Sequence, residues 1–323
     1  MRNILHLVLL ALVPGTPANV SADELTVESV PEGVHAAFRN HFSKYVDVMG
    51  VGVYATSDSG DDKVLHCART LAQYLDNDED GRADDPAVLA RMIADRAAMV
   101  MWRTFDEAED SGFWEDIPDS IADSCQDLMA EETIPDWRTR QEFDASLEEC
   151  FHLVNFTGLA RVYPEVFRDQ AGSDVADAMD INIARGHFHY DDPTCDHRCK
   201  VIEYTYWAMT SMLGAQDAPW RRREIADEWE LHSRALVRKH DPAIFSILDS
   251  GGYGLPRVLP DRSYEPRTGC IADFNRTGNV EGGDLAELLR HWKQNAPEYD
   301  LSEDGIIDEA DLARLLAVWG NCT

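Results

Sequence analysis

The C-terminal end of this chain repeats itself. Displaced by 27 positions, residues 273–292 (DFNRTGNVEGGDLAELLRHW) fall on residues 300–319 (DLSEDGIIDEADLARLLAVW), matching Asp273 with Asp300, Gly278 with Gly305, Asp284 with Asp311, Leu288 with Leu315 and Trp292 with Trp319. Such a repeat predicts one supersecondary unit used twice, each copy covering the apolar face of the other. Each copy places oxygen-bearing residues at loop positions 1, 3, 5, 9 and 12 and glycine at position 6, as a hard cation such as calcium requires. The first loop offers Asp273, Asn275, Thr277, Glu281 and Asp284, with the Asn279 carbonyl at position 7. The second offers Asp300, Ser302, Asp304, Asp308 and Asp311, with the Ile306 carbonyl. Two acidic turns without metal are the plainer alternative; the same ligand spacing met twice argues for ions.

Aspartate at position 12, followed at once by a single helix carrying Leu, Leu and Trp, resembles the duplicated F-hand of type I dockerins over about residues 270–323. The resemblance implies two calcium ions and a docking role toward a cohesin-like or cell-surface receptor. Positions 10 and 11 of the loops, Gly282-Gly283 and Glu309-Ala310, lack the hydroxyl pairs often found in cellulosomal dockerins, so calcium binding is a firmer expectation than any partner.

The remaining chain is long enough for a second, larger domain. Residues 1–22 read as a secretory signal, with an early Arg2, an apolar run from Ile4 to Val13 and small residues at Val20 and Ala22. That run is too short to span a bilayer, and the expectation is a secreted or extracellular protein, cell-surface attached if the docking module holds a receptor. Residues 23–262 form the main domain and 263–269 the end of a Pro- and Gly-bearing linker, PDRSYEPRTG. Sixty acidic against 29 basic residues give a formal charge of −31, which disfavours nucleic acid and acidic membrane surfaces. Seven cysteines in an exported chain predict disulfides. Cys195 with Cys199, Cys270 with Cys322, and Cys67 with Cys125 are the expected pairs, leaving Cys150 buried and free, although spacing alone leaves connectivity open.

Apolar periodicity predicts helices over 24–46, 62–75, 86–98, 142–156, 173–185, 199–214 and 221–238, and short apolar runs predict strands over 51–55 and 98–102. The mixture is α+β, helix-rich, with a small all-α module at the C-terminus. Between the second and third helices, Asp76, Asp78, Asp80 and Asp84 occupy positions 1, 3, 5 and 9 of a further calcium-type loop with Gly81 at position 6, but position 12 is Ala87. A bound calcium and a bare acidic helix-to-helix turn both fit.

One further stretch carries chemistry. In LEECFHLV (147–154), Glu148 and His152 are four apart on one helical face, and Glu149 lies one step round. The pattern resembles the H-E-x-x-H helix of zincin metallopeptidases with its first histidine replaced by Glu148, and the order strand 51–55, helix, strand 98–102 upstream extends the likeness. The resemblance implies an ion on Glu148 and His152, Glu149 as general base and, as in gluzincins, a glutamate from a later helix. Glu203 is that candidate: it sits among Val201, Ile202, Tyr206, Trp207 and Met209, where an unpaired carboxylate is costly. His189 and Tyr204 are further catalytic candidates, and His187, Tyr190, Asp191 and Asp192 lie in the same HFHYDD neighbourhood. Two carboxylates and one imidazole nearly neutralise a divalent ion, so manganese stands beside zinc. The expected activity is a secreted metal-dependent hydrolase acting on polypeptide; the alternative is a catalytically inactive, calcium-dependent binding or attachment protein on a zincin-like scaffold.

Overall fold

A two-residue turn sets up the sheet. Met49 and Gly50 both take positive φ (54° and 91°), which closes strand β1 (Lys44–Val48) onto strand β2 (Val51–Ala55) as a tight antiparallel hairpin with Val48 opposite Val51. The helix expected over 24–46 is therefore replaced: only residues 36–41 are helical, and Tyr45, Val46 and Val48 are in the hairpin. The computed structural model describes residues 25–321 apart from 191, 267–270, 276, 278 and 303, so the expected signal segment and the Cys270–Cys322 pairing lie outside the described residues.

From β2 the chain crosses over through helix α1 (Asp61–Leu75) and helix α2 (Pro86–Ala94) to strand β3 (Ala98–Trp102), parallel to β2. Parallel neighbours need such a crossover, and here it places α1 against β1 and β2. Asp61 and Asp62 sit in the first turn of α1, where the helix dipole favours acids. A fourth strand, β4 (Cys125–Met129), adds parallel to β3 and gives the order β1-β2-β3-β4. One face of the sheet is closed by an aromatic cluster of Phe38, Phe42, Tyr54, Trp102 and Phe113; the other carries the main core.

Helix α3 (Ser146–Leu153), the LEECFHLV helix, crosses α1 in that core. The Tyr74 hydroxyl donates to the Leu147 carbonyl at 2.7 Å, and the sulfurs of Cys67 and Cys150 lie 3.8 Å apart where the helices meet. The expected Cys67–Cys125 disulfide is not formed: both are free and buried, Cys67 facing Cys150 and Cys125 placing its sulfur 3.4 Å from the Ile121 carbonyl. Past Leu153 the helix widens into a π-helical segment, Val154–Leu159, before a last turn at Ala160–Val162. Gly158 sits in this segment because α2 passes close by; a Cβ there would stand 2.6 Å from Val88 Cγ1.

Helix α4 (Asp174–Arg185) and helix α5 (His197–Met212) complete the layer around α3. Asp196 caps α5 by accepting from the Arg198 and Cys199 amides, and the expected Cys195–Cys199 disulfide spans its first turn with a Cα separation of 5.2 Å. The helix expected over 221–238 is broken into Pro219–Glu224 and Arg234–His240. Among the described residues no helix is long and apolar enough to cross a membrane.

The C-terminal repeat folds as two matched halves around Ala272, Val280, Leu288, Leu301, Ile307 and Leu315. Each half is a loop leading into one helix, α6 (Gly282–Arg290) and α7 (Glu309–Ala317), and a two-residue strand pair, Asn279–Val280 with Gly320–Asn321, ties the ends together. The start of the presumed linker is fixed to the main domain: Tyr264 is buried and its hydroxyl donates to Asp76 Oδ2 at 2.7 Å.

Candidate metal centre

Asp144 positions the helix that matters. Its carboxylate sits just before α3, accepting from the amides of Ile134 (2.9 Å) and Ser146 (3.3 Å) and contacting His66 Nε2 at 2.6 Å. Burial opposes its ionisation, but His66 and the amide donors outweigh burial and hold the carboxyl below the usual range. The α3 register then projects Glu148 and His152 from one face toward α5, which supplies Glu203.

Glu148, His152 and Glu203 each bring a ligand atom within 4.8 Å of the others. His152 Nε2 lies 3.8 Å from Glu203 Oε2, and both atoms are buried without a hydrogen-bond partner. Buried polar atoms are rarely left so. Burial first, then the neighbouring Glu149, raises the Glu148 carboxyl to about 7, and burial with Glu148 and Glu149 raises the Glu203 carboxyl to about 8, both against the pull of His152. An imidazole nitrogen and carboxylate oxygens facing one point at this spacing fit a divalent ion such as zinc or manganese.

Glu149 meets His152 at the other ring nitrogen. Its Oε2 lies 3.4 Å from Nδ1 and accepts a 2.6 Å hydrogen bond from Gln126 Nε2, on β4. Burial, reinforced by Asp127 and Glu132, raises its carboxyl well above the usual range. The motif glutamate thus lies toward the nitrogen turned from Glu203.

Three further side chains complete the surroundings. Tyr206, one turn beyond Glu203 on α5, is fully buried and hydrogen-bonded to Glu148, and its ring meets the His152 ring edge-on at 5.4 Å. Gln216 Nε2 donates to the Tyr206 hydroxyl at 3.3 Å, and Arg221 Nε donates to Gln216 Oε1 at 2.8 Å, forming a chain that ends on the Glu148 carboxylate. Sequence reasoning overlooked this chain, although the i, i+3 spacing of Glu203 and Tyr206 places them on one face. Tyr190 feels the same carboxylates: burial, then Glu203 and Glu148, keeps its phenol protonated far above neutral pH.

Two expected catalytic residues are elsewhere. Tyr204, one residue round the helix from Glu203, is fully buried and its hydroxyl donates to Asp241, a carboxylate shared with Asn182. His189 has an exposed side chain, and its amide donates to the Glu228 carbonyl at 2.8 Å. His187 pairs with Glu230 at 2.7 Å, and Asp192 caps a turn through Thr194; Asp191 lies outside the described residues.

The loop after α1 gathers a second group. Ligand oxygens of Asp76, Asp78 and Asp84 lie within 4.8 Å of one another. Asp76 is buried, accepting from the amides of Asp80 and Gly81, and burial followed by the neighbouring acids raises it to about 8 despite the Tyr264 hydroxyl. Asp84, at position 9, turns inward to accept from the Asn77 amide at 2.9 Å, while Asp85 caps α2. Ala87 at position 12 is thereby bypassed. Asp80 accepts from the Arg82 amide at 2.8 Å.

The C-terminal loops share one geometry. Asp284 accepts from the amides of Asn275 and Glu281, and Asp311 accepts from those of Ser302 and Asp308. Both closing aspartates are fully buried. At position 1, Asp273 accepts from Thr277, and Asp300 from Asp304 and Gly305. The Thr277 hydroxyl reaches the Asn279 carbonyl at 3.4 Å, as two neighbouring ligand positions do. Asp308 is the exception: it caps α7 through Ala310 and pairs with Lys293 at 3.2 Å. Ile306 donates its amide to Asp304 at 3.1 Å.

Compared with known proteins, the chain matches no family model, no curated protein and no solved structure.

Proposed function

We propose that this chain is a metal-dependent hydrolase of peptide-like substrates, held on a zincin-like α+β domain that carries a dockerin-like calcium module. The observation that carries the reading is the pair of orphaned buried atoms, His152 Nε2 and Glu203 Oε2, converging with Glu148 on one point. A structural helix has no reason to leave two such atoms facing each other without a partner, whereas ligands to an ion do. A divalent ion bound there supplies Lewis acidity toward a carbonyl and toward water.

The protein side chains divide the remaining work. Glu148, His152 and Glu203 hold the ion. Glu149 fixes the imidazole through Nδ1, and the Arg221–Gln216–Tyr206 chain fixes Glu148, as outer partners of a ligand set do. The base role expected for Glu149 gives way to an orienting role. Calcium in the loops beginning at Asp76, Asp273 and Asp300 stabilises the fold and the docking module, for which a cohesin-like or cell-surface receptor is the partner the resemblance implies. Export and an extracellular location belong to the same reading.

The test is metal analysis of purified protein dialysed against calcium-containing, transition-metal-free buffer, for wild type and His152→Ala. One equivalent of zinc or manganese retained by the wild type and lost in the variant is expected, with hydrolysis of a peptide library following the metal. Retention of calcium alone, unchanged by the substitution, would overturn the hydrolase reading in favour of a calcium-dependent binding protein.

A further inference from the structure

The centre opens into a cavity of about 590 Å³ lined by Arg161, Arg168 and Arg198 as well as by Asp123, Asp169 and Glu203. In a chain with 60 acids and 29 bases, three arginines, Arg161, Arg168 and Arg198, line this one cavity together with His152 and Glu203. Two of the three are satisfied. Arg161 spends its nitrogens on Asp95, on the Ser124 hydroxyl at 2.8 Å and on the Asp123 carbonyl at 2.6 Å. Arg198 donates twice to Asp169, at 2.9 and 2.6 Å.

Arg168 differs. Its Nε is buried and has no hydrogen-bond partner among the described residues, and no carboxylate there pairs with its guanidinium. The residue is nonetheless held in place: it ends the short helix Pro164–Phe167, follows the buried Phe167, and its carbonyl accepts from the Ser173 hydroxyl at 2.6 Å. The neighbouring carboxylate, Asp169, pairs with Arg198 through Oδ2. A guanidinium is always charged and presents a planar fork of donors that matches a carboxylate; leaving a buried donor unpaired is costly. A guanidinium on the cavity lining with an unused donor is suited to receive an anion.

We infer that the cavity takes a substrate bearing a carboxylate, which Arg168 receives while the bond to be cleaved lies against Glu148, His152 and Glu203. Phe156 and Ile202 on the same lining give the portion between the two polar ends an apolar surface. The substrate class is thus an acidic or free-C-terminal peptide-like molecule, small enough for a cavity in the usual range for organic ligands. This rests on the hydrolase reading for the bond cleaved, not for the anion bound.

Calorimetric titration of the full-length protein with a panel of N-acyl amino acids and N-acyl dipeptides, each paired with its C-terminal amide, tests it, with inorganic phosphate as a separate arm. Acids are expected to bind at least tenfold more tightly than their amides, Arg168→Leu to erase the difference, and Arg168→Lys to keep part of it. Both variants should retain the wild-type equivalent of metal. If no acid in the panel outbinds its amide tenfold, or if Arg168→Leu preserves the preference, the proposal fails; phosphate binding through Arg168 without acid preference replaces the carboxylate by a phosphoryl group and also overturns it. If the wild type holds no transition metal but the acid preference depends on Arg168, the hydrolase reading fails while the anion site stands.

Discussion

Replacing Glu203 by glutamine should make the metal-free protein more stable at pH 8 and slightly less stable near pH 4.5. The Glu203 carboxyl is raised from its ordinary 4.5 to about 8, first by burial and further by Glu148, with only 13% of its side chain exposed. The folded state therefore holds this proton more tightly than the unfolded chain. Stability from that proton is full below about pH 4.5 and falls as pH rises toward 8, because the unfolded chain releases the proton first. At 1.36 kcal/mol per pKa unit the penalty at pH 8 is on the order of 4 kcal/mol. Glutamine removes the charge and keeps the shape; allowing roughly 1 kcal/mol for imperfect hydrogen bonding, a net gain of about 2–4 kcal/mol remains. Urea unfolding in calcium with a transition-metal chelator, at pH 4.5, 6 and 8, measures it. The gain should appear between the lower and upper pH, and zinc or manganese should stabilise the wild type but not the variant. Equal destabilisation at every pH would refute the reasoning, since it would make Glu203 a structural hydrogen-bonding group.

Other consequences are as direct. Asp84→Asn should remove most of the increase in melting temperature that calcium gives the main domain, because Asp84 closes the Asp76 loop in place of position 12; an unchanged calcium response would show that the loop is an acidic turn only. Gly158→Ala should cost about 1–3 kcal/mol in urea unfolding through the clash with Val88, and Gly158→Ala with Val88→Ala should recover part of it. Asp311→Ala should leave a buried cage without its closing carboxylate and abolish calcium-dependent ordering of the C-terminal module, seen as loss of Trp292 and Trp319 fluorescence change on calcium addition. Glu149→Gln should lower transition-metal affinity by roughly 10- to 100-fold while leaving some turnover in saturating metal, as expected of a residue that orients a ligand rather than abstracts a proton.

Much of the helical layer was legible because its periodicity is undiluted. Residues 61–75 and 174–185 carry apolar positions three and four apart, while 197–212 is buried without a break over 204–212; all three are helices near their expected bounds. The segment 24–46 misleads for a physical reason: Phe38, Phe42 and Tyr45 have helical spacing, yet Phe38 and Phe42 cover one face of the sheet while Tyr45 lies in a strand. Strand β4 was missed because CQDLM mixes polar and apolar residues, its pairing with β3 being decided by tertiary contact. At the centre, the i, i+4 pair and the acid on an apolar helix were enough to bring Glu148, His152 and Glu203 together. The direction taken by Glu149 was not readable, since it depends on Gln126 in the overlooked strand. Nor was the company of Cys67, whose neighbour across the helix crossing is Cys150.

The anchoring of Tyr264 shortens the leash on the C-terminal module. The stretch expected to link the two parts is tied down at its start, by the Tyr264 hydroxyl on Asp76 and by the Glu265 amide on Glu79 at 3.3 Å, and the module's core resumes at Ala272, eight residues after the tyrosine. Even fully drawn out, eight residues reach no further than about 30 Å. The first core residue of the module is thereby kept within that distance of the Asp76 loop.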